Sequence, residues 1–448
     1  MNDSQPARDA PRRQLSLLDA VSIIVGIVIG AGLYKTTPMI AASVPSVGWL
    51  LLVWLAGGLI ALVGALCYAE LTTTYPQEGG DYVYLTRAFG QQMGFVFSWA
   101  ILWIVRPGSI GFVAYVFAEY ANELVYLGDG AGPQVTYAAG SIGLLSLANL
   151  FGVREAKGLQ NLLTLAKVLG LLAIFVVALA TPAAPAALAP ASGTSGSSAN
   201  FHLAMILVLL TYGGWNDMSY VAAEVRNPRK NLLRALLLGT LAITVIYLLV
   251  NLAFLRLLGF AGVQQSTAVA ADAVAVRWGA GGSKAISALI CISCLGAIHG
   301  MLFTGARVYY AVGRQHRVFA PFAVWNARWD APLRAMLLQA AITLAVVAGF
   351  GLYEDGFQRM VDFTTPVFWF FFLMVGVGLF VLRYKEPHTP RPYSVHGYPF
   401  TPGLFCLSCL FVLYSSLRYA YTQTSWEAAW SIGLLLLGVG LSFWEERR

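Results

Sequence analysis

Long apolar segments alternate with short polar connections along almost the whole chain. A transmembrane helix needs about 20 mostly apolar residues, because the hydrocarbon core of a bilayer is about 30 Å thick. The segments that meet this need are Leu17–Ser43, Gly48–Thr73, Met93–Leu124, Val135–Phe151, Leu159–Ala180, Phe201–Glu224, Ala235–Leu258, Ala285–Val312, Met336–Tyr353, Val361–Leu382, Leu404–Tyr421 and Ala429–Trp444. The pattern therefore predicts an all-α polytopic membrane protein with about 12 transmembrane helices.

Composition and charge agree with a multi-pass membrane protein. Of the 448 residues, 58% are hydrophobic and 11% are charged, far from the average of globular proteins. The formal net charge of +7 raises the question of a nucleic acid partner. The basic residues, however, collect in every second connection, as at Arg12–Arg13, Arg154–Lys157 and Arg226–Arg234. This bias predicts a cell (inner) membrane protein with both termini in the cytoplasm, a lipid bilayer as its surroundings and no nucleic acid partner.

Five cysteines include the pairs Cys291/Cys294 and Cys406/Cys409, which have the C-x-x-C spacing of some metal and redox sites. Both pairs lie inside apolar segments, and no histidine or polar loop accompanies them. Because reactive thiols need a polar and accessible environment, we expect no metal site, no redox role and no cofactor.

Glycine pairs interrupt two of the predicted spans. Gly30 and Gly32 lie within the first span, and Gly213 and Gly214 within the sixth. Small residues can serve only to let helices pack closely in a membrane. Alternatively, they break the helix, which is tolerated at membrane depth only where the freed backbone groups are buried or line a cavity. Since the interrupted spans are five apart, the sequence favours a transporter of two inverted five-helix repeats, with broken helices 1 and 6 and its site between the repeats.

Two cationic side chains lie deep within predicted spans. Arg106, followed by Pro107, falls well inside the third span, and Lys167 about two turns inside the fifth. A charge at this depth is costly, so both side chains are expected to face protein rather than lipid. For Arg106 we expect a structural ion pair or a charge beside an internal cavity. Lys167 is expected to place a fixed positive charge in the bundle interior.

Several motifs resemble those of a known family. They are Val28-Ile29-Gly30-Ala31-Gly32-Leu33-Tyr34, Cys67-Tyr68-Ala69-Glu70-Leu71, Gly79-Gly80-Asp81-Tyr82, Arg106-Pro107-Gly108-Ser109, Tyr212-Gly213-Gly214-Trp215-Asn216 and Glu224-Val225-Arg226-Asn227-Pro228. The first resembles the I-G-S-G-I-F signature of the amino acid–polyamine–organocation superfamily. The fifth matches the Y-G-G-W-N of its L-type amino acid transporter branch. The resemblance implies a twelve-span fold that binds its substrate between the first and sixth helices.

The resemblance also implies which atoms hold an amino acid. Backbone N–H groups around Ala31, Gly32 and Leu33 would bind the carboxylate, and the carbonyls of Ile29 and of Tyr212 or Gly213 would bind the ammonium, as the dipoles of half-helices favour. The remaining predicted site residues are Gly30, Gly214, Trp215 and Asn216, of which the last two would shape the side-chain pocket. A pocket without an evident charged partner favours a neutral amino acid and leaves a cationic one open.

Two further positions bear on coupling and gating. Lys167 matches a lysine of sodium-independent members, where its ammonium occupies the region that holds sodium in related transporters. This match implies transport without sodium, by exchange or by proton coupling. Leu210 stands where the L-type pattern has an aromatic residue that closes over the substrate. Here the gate is looser, a neighbouring aromatic substitutes, or the selectivity differs.

These expectations define a domain organisation and a function. Residues 1–16 are predicted to form a cytoplasmic tail, 17–382 the transporter core of helices 1–10, and 383–448 helices 11–12 with a cytoplasmic C-terminus. Spans nine to twelve are expected to act mostly as scaffold or dimer surface. The predicted function is sodium-independent secondary transport of neutral L-amino acids, with a homodimer or an accessory subunit left open. Alternatives are a cationic amino acid or polyamine antiporter, and a substrate sensor or channel; an enzyme is not expected.

The backbone role of the first glycine motif gives a testable prediction. We expect Gly32→Leu to weaken amino acid binding by more than about tenfold, because it disturbs amides that bind a charged group. Ala31→Ser keeps those amides and should be nearly silent. Equal binding of an amino acid by the two purified variants would return the motif to helix packing alone.

Overall fold

The computed structural model describes residues 12–30, 32–150, 153–182, 198–353, 356–422 and 426–446. Some predictions therefore lie outside the described residues. They concern Ala31, the predicted end of the fourth span at Phe151, most of the predicted N-terminal tail and the last two residues of the chain.

The described chain consists mainly of helices joined by short connections, and we number the helices so that the two halves of a broken helix share a number. The helices are α1a (Leu17–Val28), α1b (Gly32–Ala42), α2 (Val47–Thr74), α3 (Gln91–Leu124), α4 (Ala131–Asn149), α5 (Val153–Ala180), α6a (Ser198–Thr211), α6b (Trp215–Glu224), α7 (Pro228–Gln265), α8 (Val269–Gly313), α9 (Leu333–Phe350), α10 (Gly356–Lys385), α11 (Phe400–Thr422) and α12 (Trp426–Glu446). A short helix between α2 and α3, Asp81–Phe89, is called the loop helix.

The length and hydropathy of these helices confirm an all-α polytopic membrane protein. Within the described residues, nine helices are long and apolar enough to cross a membrane, and α1a with α1b makes a tenth if the bent pair is one span. Two predicted spans do not meet this test, since α4 is rich in small and polar residues and α6 is divided. The number twelve therefore stays a prediction.

The structure contains three helical segments that lie outside the predicted spans. α7 continues past Leu258 to Gln265, and α8 begins at Val269 instead of Ala285. Gly259 and Gly279 adopt φ angles of 70° and 60°, which let the chain turn sharply inside each of these helical regions. The loop helix also lies where the sequence indicated only a polar connection. Polar and glycine-rich composition concealed all three short helical pieces.

Small residues allow the helices to approach closely. A Cβ atom on Gly57 of α2 would lie 2.1 Å from Val208 Cγ1 of α6a, and one on Gly58 would lie 2.5 Å from Thr244 Cγ2 of α7. Such contact between backbones is typical of helix association in membranes, where van der Waals packing replaces the hydrophobic effect as the driving force. It packs α2 directly against both α6a and α7.

Ion pairs fasten the face of the bundle that holds Leu15, Glu70 and Glu224, which we call the terminal face. Leu15 N–H donates to Glu224 O at 2.9 Å, so the segment before α1a is held against the end of α6b. The Glu224 carboxylate accepts from Arg307 Nε at 2.7 Å with both side chains buried, and Glu70 accepts from Arg383 Nε at 2.8 Å. Elements distant in sequence are therefore joined at this face.

Candidate functional site

The first helix is broken at Ile29. Gly30 N–H donates to Val28 O at 2.8 Å around Ile29, which has φ −75° and ψ 77°, the geometry of an inverse γ-turn. The axes of α1a and α1b differ by 47°. In a continuous helix, Gly26 O would accept from Gly30 N–H and Ile29 O from Leu33 N–H. The turn therefore leaves both carbonyls free for other donors.

The sixth helix is broken at the second predicted glycine pair. α6a ends at Thr211, and Gly214 adopts φ 107° before α6b begins as a 3₁₀ helix. A Cβ atom on Gly214 would lie 2.7 Å from Ile27 Cγ2, so this glycine is needed both for its backbone conformation and for close approach to α1a. The breaks of the two helices thus lie side by side.

The glycines of the first helix also serve packing. Cβ atoms would lie 2.0 Å from Gln160 Nε2 at Gly26, 3.2 Å from Ala297 Cβ at Gly30 and 3.0 Å from Thr211 Cγ2 at Gly32. The two interpretations of the motif are therefore compatible, because the glycines bring the neighbouring helices against the same short stretch in which the helix is interrupted.

A cavity lies between α1, α3, α6, α8 and α10 and has a volume of about 890 Å³, including space open to solvent. Its wall contains the predicted residues Gly30, Gly32, Leu210, Gly213, Gly214 and Asn216. Most of the remaining wall is apolar, with Phe112, Met301, Phe357 and Phe368 among its larger side chains. A mostly apolar pocket with a few polar groups is the usual form of a small-molecule site.

Two predicted residues of the first helix lie behind the cavity wall rather than in it. Leu33 is fully buried, and so is Ile29. Ile29 O already accepts from Lys167 Nζ at 2.6 Å and from Ser293 Oγ at 2.9 Å. Ala31, also predicted to belong to the site, lies outside the described residues.

Tyr212 and Trp215 direct their rings away from the cavity. The Tyr212 hydroxyl donates to Trp54 O at 3.1 Å in α2. The Trp215 ring packs edge to face on Tyr68, with ring centroids 5.0 Å apart. The direction of Trp215 follows from the left-handed turn at Gly214 and the 3₁₀ geometry after it, which differ from those of an α-helix.

Lys167 is fully buried and joins three helices. Its Nζ atom donates to Gly26 O at 2.7 Å, Ile29 O at 2.6 Å and Ser293 O at 2.9 Å. The first two are the carbonyls that the turn in α1 leaves free. All three ammonium protons therefore have acceptors, which offsets the cost of burying the charge.

Arg106 and Asp217 face each other in the cavity wall, which confirms the expectation of an ion pair or a charge beside a cavity for Arg106, although the sequence analysis did not name its partner. Arg106 Nη1 donates to Asp217 Oδ2 at 2.6 Å, and Thr304 Oγ1 donates to the same oxygen at 2.8 Å. Both charged side chains are buried. A π-helical turn, Ile101–Val105, lies directly before Arg106, and such turns are frequent at functional sites. A carboxylate inside a broken span was the available signal for Asp217.

The sequence analysis also missed the contribution of α10, which it interpreted as scaffold or dimer surface. Phe357, Thr364, Thr365 and Phe368 of this helix lie in the cavity wall. That interpretation was wrong for α10, because an uninterrupted apolar helix shows nothing in its own sequence of which neighbour it faces.

Broken apolar helices around a central, partly polar cavity define a polytopic membrane permease rather than an enzyme. The chain belongs to the amino acid permease family, whose model matches residues 15–439.

Curated relatives align with nearly the whole chain. It is 28% identical to the b(0,+)-type amino acid transporter 1 of Homo sapiens over 98% of this chain and 89% of that protein. It is 29% identical to the cystine/glutamate transporter of Homo sapiens over 91% of this chain and 80% of that protein. It is also 28% identical to the large neutral amino acids transporter small subunit 2 of Homo sapiens, over 96% of this chain and 80% of that protein. The resemblance to the L-type branch is confirmed.

The contacts of Lys167 predict a strong effect of its removal. Lys167→Met removes one donor from each of three buried carbonyls, so we expect amino acid uptake into proteoliposomes to fall by about tenfold or more. The matched control is Lys157→Met in the same helix. Lys157 Nζ lies 3.4 Å from Asp19 Oδ2 and the side chain is 24% exposed, so its loss should change uptake by less than about twofold. Equal losses in the two variants would contradict a special role for Lys167.

Proposed function

We propose that this chain is a sodium-independent secondary transporter of neutral L-amino acids that works by alternating access. The observation that carries the proposal is the meeting of two broken helices at one cavity, with the Lys167 ammonium bound to the first break. Membership of the amino acid permease family and the names of the relatives support an amino acid as the substrate.

The helix ends suit the two charged groups that every α-amino acid carries. The first amide of α1b, at Gly32 in the cavity wall, is at the positive end of a helix dipole and would bind the carboxylate, whereas Leu33 lies behind the wall. The C-terminal end of α6a would offer the carbonyls of Tyr212 or Gly213 to the ammonium. Ile29 O already accepts hydrogen bonds from the Lys167 ammonium and from Ser293, so we do not propose it as an acceptor for the substrate ammonium.

The charge balance of the cavity supports a neutral side chain. Arg106 and Asp217 neutralise each other at 2.6 Å, and the rest of the wall is mostly apolar. A substrate with a charged side chain would meet no unpaired partner among these residues. A cationic amino acid or a polyamine is the second candidate, because displacement of Arg106 would expose the Asp217 carboxylate to it.

The position of Lys167 supports transport without sodium. Its ammonium donates to carbonyl oxygens that could otherwise coordinate a metal cation. A second cation at this place would meet both the fixed positive charge and oxygens that are already bound. Either exchange or proton coupling would then supply the driving force.

Alternating access also requires two faces and a gate. We assign the terminal face to the cytoplasm because the basic connections lie there. On the opposite face, Lys35 pairs with Glu119 at 2.8 Å and lies 5.9 Å from the Phe357 ring centroid. Phe357 together with Leu210 would form the gate on this side. An accessory partner is supported by the name of one relative, a small subunit.

Counterflow into proteoliposomes tests the function. Vesicles loaded with an unlabelled neutral amino acid should accumulate the labelled form equally with sodium and with potassium outside. Vesicles without protein are the control. No accumulation for any amino acid in a panel would overturn transport, and uptake that rises steeply with external sodium would overturn the sodium independence.

Variants of the ion pair decide between neutral and cationic substrates. With Arg106→Met, the unpaired Asp217 should shift the ratio of cationic to neutral uptake upward by about tenfold or more. The double variant Arg106→Met with Asp217→Asn lacks both charges of the pair. It should therefore return the preference to neutral amino acids. A wild-type protein that already prefers cationic substrates would favour the second candidate.

A further inference from the structure

Asp81, the first residue of the loop helix, places a buried carboxyl group beside the cavity. The residue is only 2% exposed. Its Oδ2 atom accepts from the Tyr220 hydroxyl at 2.9 Å and from Asn216 Nδ2 at 3.5 Å. Tyr220 and Asn216 are both in the cavity wall. One hydrogen-bond step therefore separates the carboxyl from the proposed substrate site.

Asp81 differs from the other buried carboxylates in having no cationic partner. Glu70, Asp217 and Glu224 each form an ion pair with an arginine. In the described part of the chain, no lysine, arginine or histidine lies within ion-pair distance of Asp81. An unpaired buried carboxylate is costly, and such a group responds by binding a proton.

The charged and titratable groups around Asp81 do not supply the missing charge. They are Tyr68 of α2, Tyr84 of the loop helix, Asp217 and Tyr220 of α6b with Arg106 of α3 paired to Asp217, Tyr309 of α8, the exposed Glu78–Arg314 pair, and Lys385 of α10 at the far end of the loop helix. Burial, the largest effect, raises the pKa of Asp81 to about 7. The Tyr220 and Tyr68 hydroxyls oppose the rise, and the Asp217 charge adds to it.

The hydrogen bonds of this cluster leave room for a proton. Asp81 Oδ1 and Asn216 Oδ1 are both buried without a donor. A buried acceptor that lacks a donor is costly. The Tyr68 hydroxyl beside them also lacks a partner, so the cluster can accommodate the carboxyl group with or without a proton.

The loop helix is also pressed against α6b. A Cβ atom on Gly80, which has φ +48°, would lie 2.3 Å from Ser219 Oγ. Gly79 N–H donates to Tyr220 O at 3.4 Å. Separation of α6b from the loop helix would therefore expose Asp81 at the terminal face.

We propose that Asp81 is the proton-binding site through which this transporter couples amino acid movement to a pH gradient, an inference that rests on the proposed function. The carboxylate takes one proton from the cavity while the cavity is open to the opposite face. It releases that proton at the terminal face once α6b separates from the loop helix. One proton is bound and one is released in each cycle.

Uptake into proteoliposomes with a trapped pH-sensitive dye tests the assignment. With wild-type protein, neutral amino acid uptake should rise several-fold as the external pH falls from about 8 to about 5.5, and the dye should report proton entry with the substrate. In Asp81→Asn, the ratio of uptake at the two pH values should fall to about one, and proton entry should stop. The matched control is Asp129→Asn, at an exposed position on the opposite face, which should keep the wild-type ratio.

A second variant covers the case in which Asp81→Asn is inactive. Tyr220→Phe removes a donor that favours the ionised carboxyl, so the midpoint of the pH dependence should move up by about one unit. An unchanged midpoint in Tyr220→Phe, or wild-type pH dependence in Asp81→Asn, would overturn the proposal. Wild-type exchange without pH dependence or proton movement would overturn it while leaving transport intact, whereas absence of counterflow would count against the proposed function itself.

Discussion

The hydrogen bonds of the Lys167 ammonium are the interaction on which the centre of the molecule depends. A break in α1 is costly in a bilayer because it releases carbonyls that have no water to accept from. Lys167 donates to both carbonyls that the turn at Ile29 releases, and to Ser293 O of α8. The break and the lysine therefore stabilise each other. Together they tie α1a, α5 and α8 to the short stretch of backbone that is opposite the break in α6.

Charge pairing extends the same logic outward from this centre. Arg106 with Asp217 in the cavity wall, and Glu224 with Arg307 at the terminal face, keep buried charges neutralised in a medium that penalises isolated ones. Among the buried carboxylates of the described residues, Asp81 is the one without a cationic partner, and the proposed function follows from its position between the terminal face and the cavity. A carboxyl without a cationic partner can change its charge at moderate pH, whereas one held by an arginine cannot.

The sequence predicted the local features well and the long-range contacts poorly. Hydrophobic length and glycine pairs placed the breaks at Gly30 and Gly213–Gly214, and the depth of Lys167 indicated a buried charge. The direction of Trp215 was not predictable, because one left-handed glycine and a 3₁₀ helix change the side-chain register. The Arg106–Asp217 pair joins residues 111 positions apart, and the approach of the loop helix to α6b depends on packing that no local pattern encodes.

The central claim is that the broken backbone binds the α-carboxylate and the α-ammonium of an amino acid. Its most direct test is the affinity of purified wild-type protein for a neutral amino acid, for its methyl ester, which lacks the carboxylate charge, and for the carboxylic acid that lacks the amino group. We expect each derivative to bind about a hundredfold more weakly or worse, since each lacks charge-assisted hydrogen bonds at one helix end. Equal affinity for the three compounds would contradict the claim and place recognition in the side-chain pocket alone.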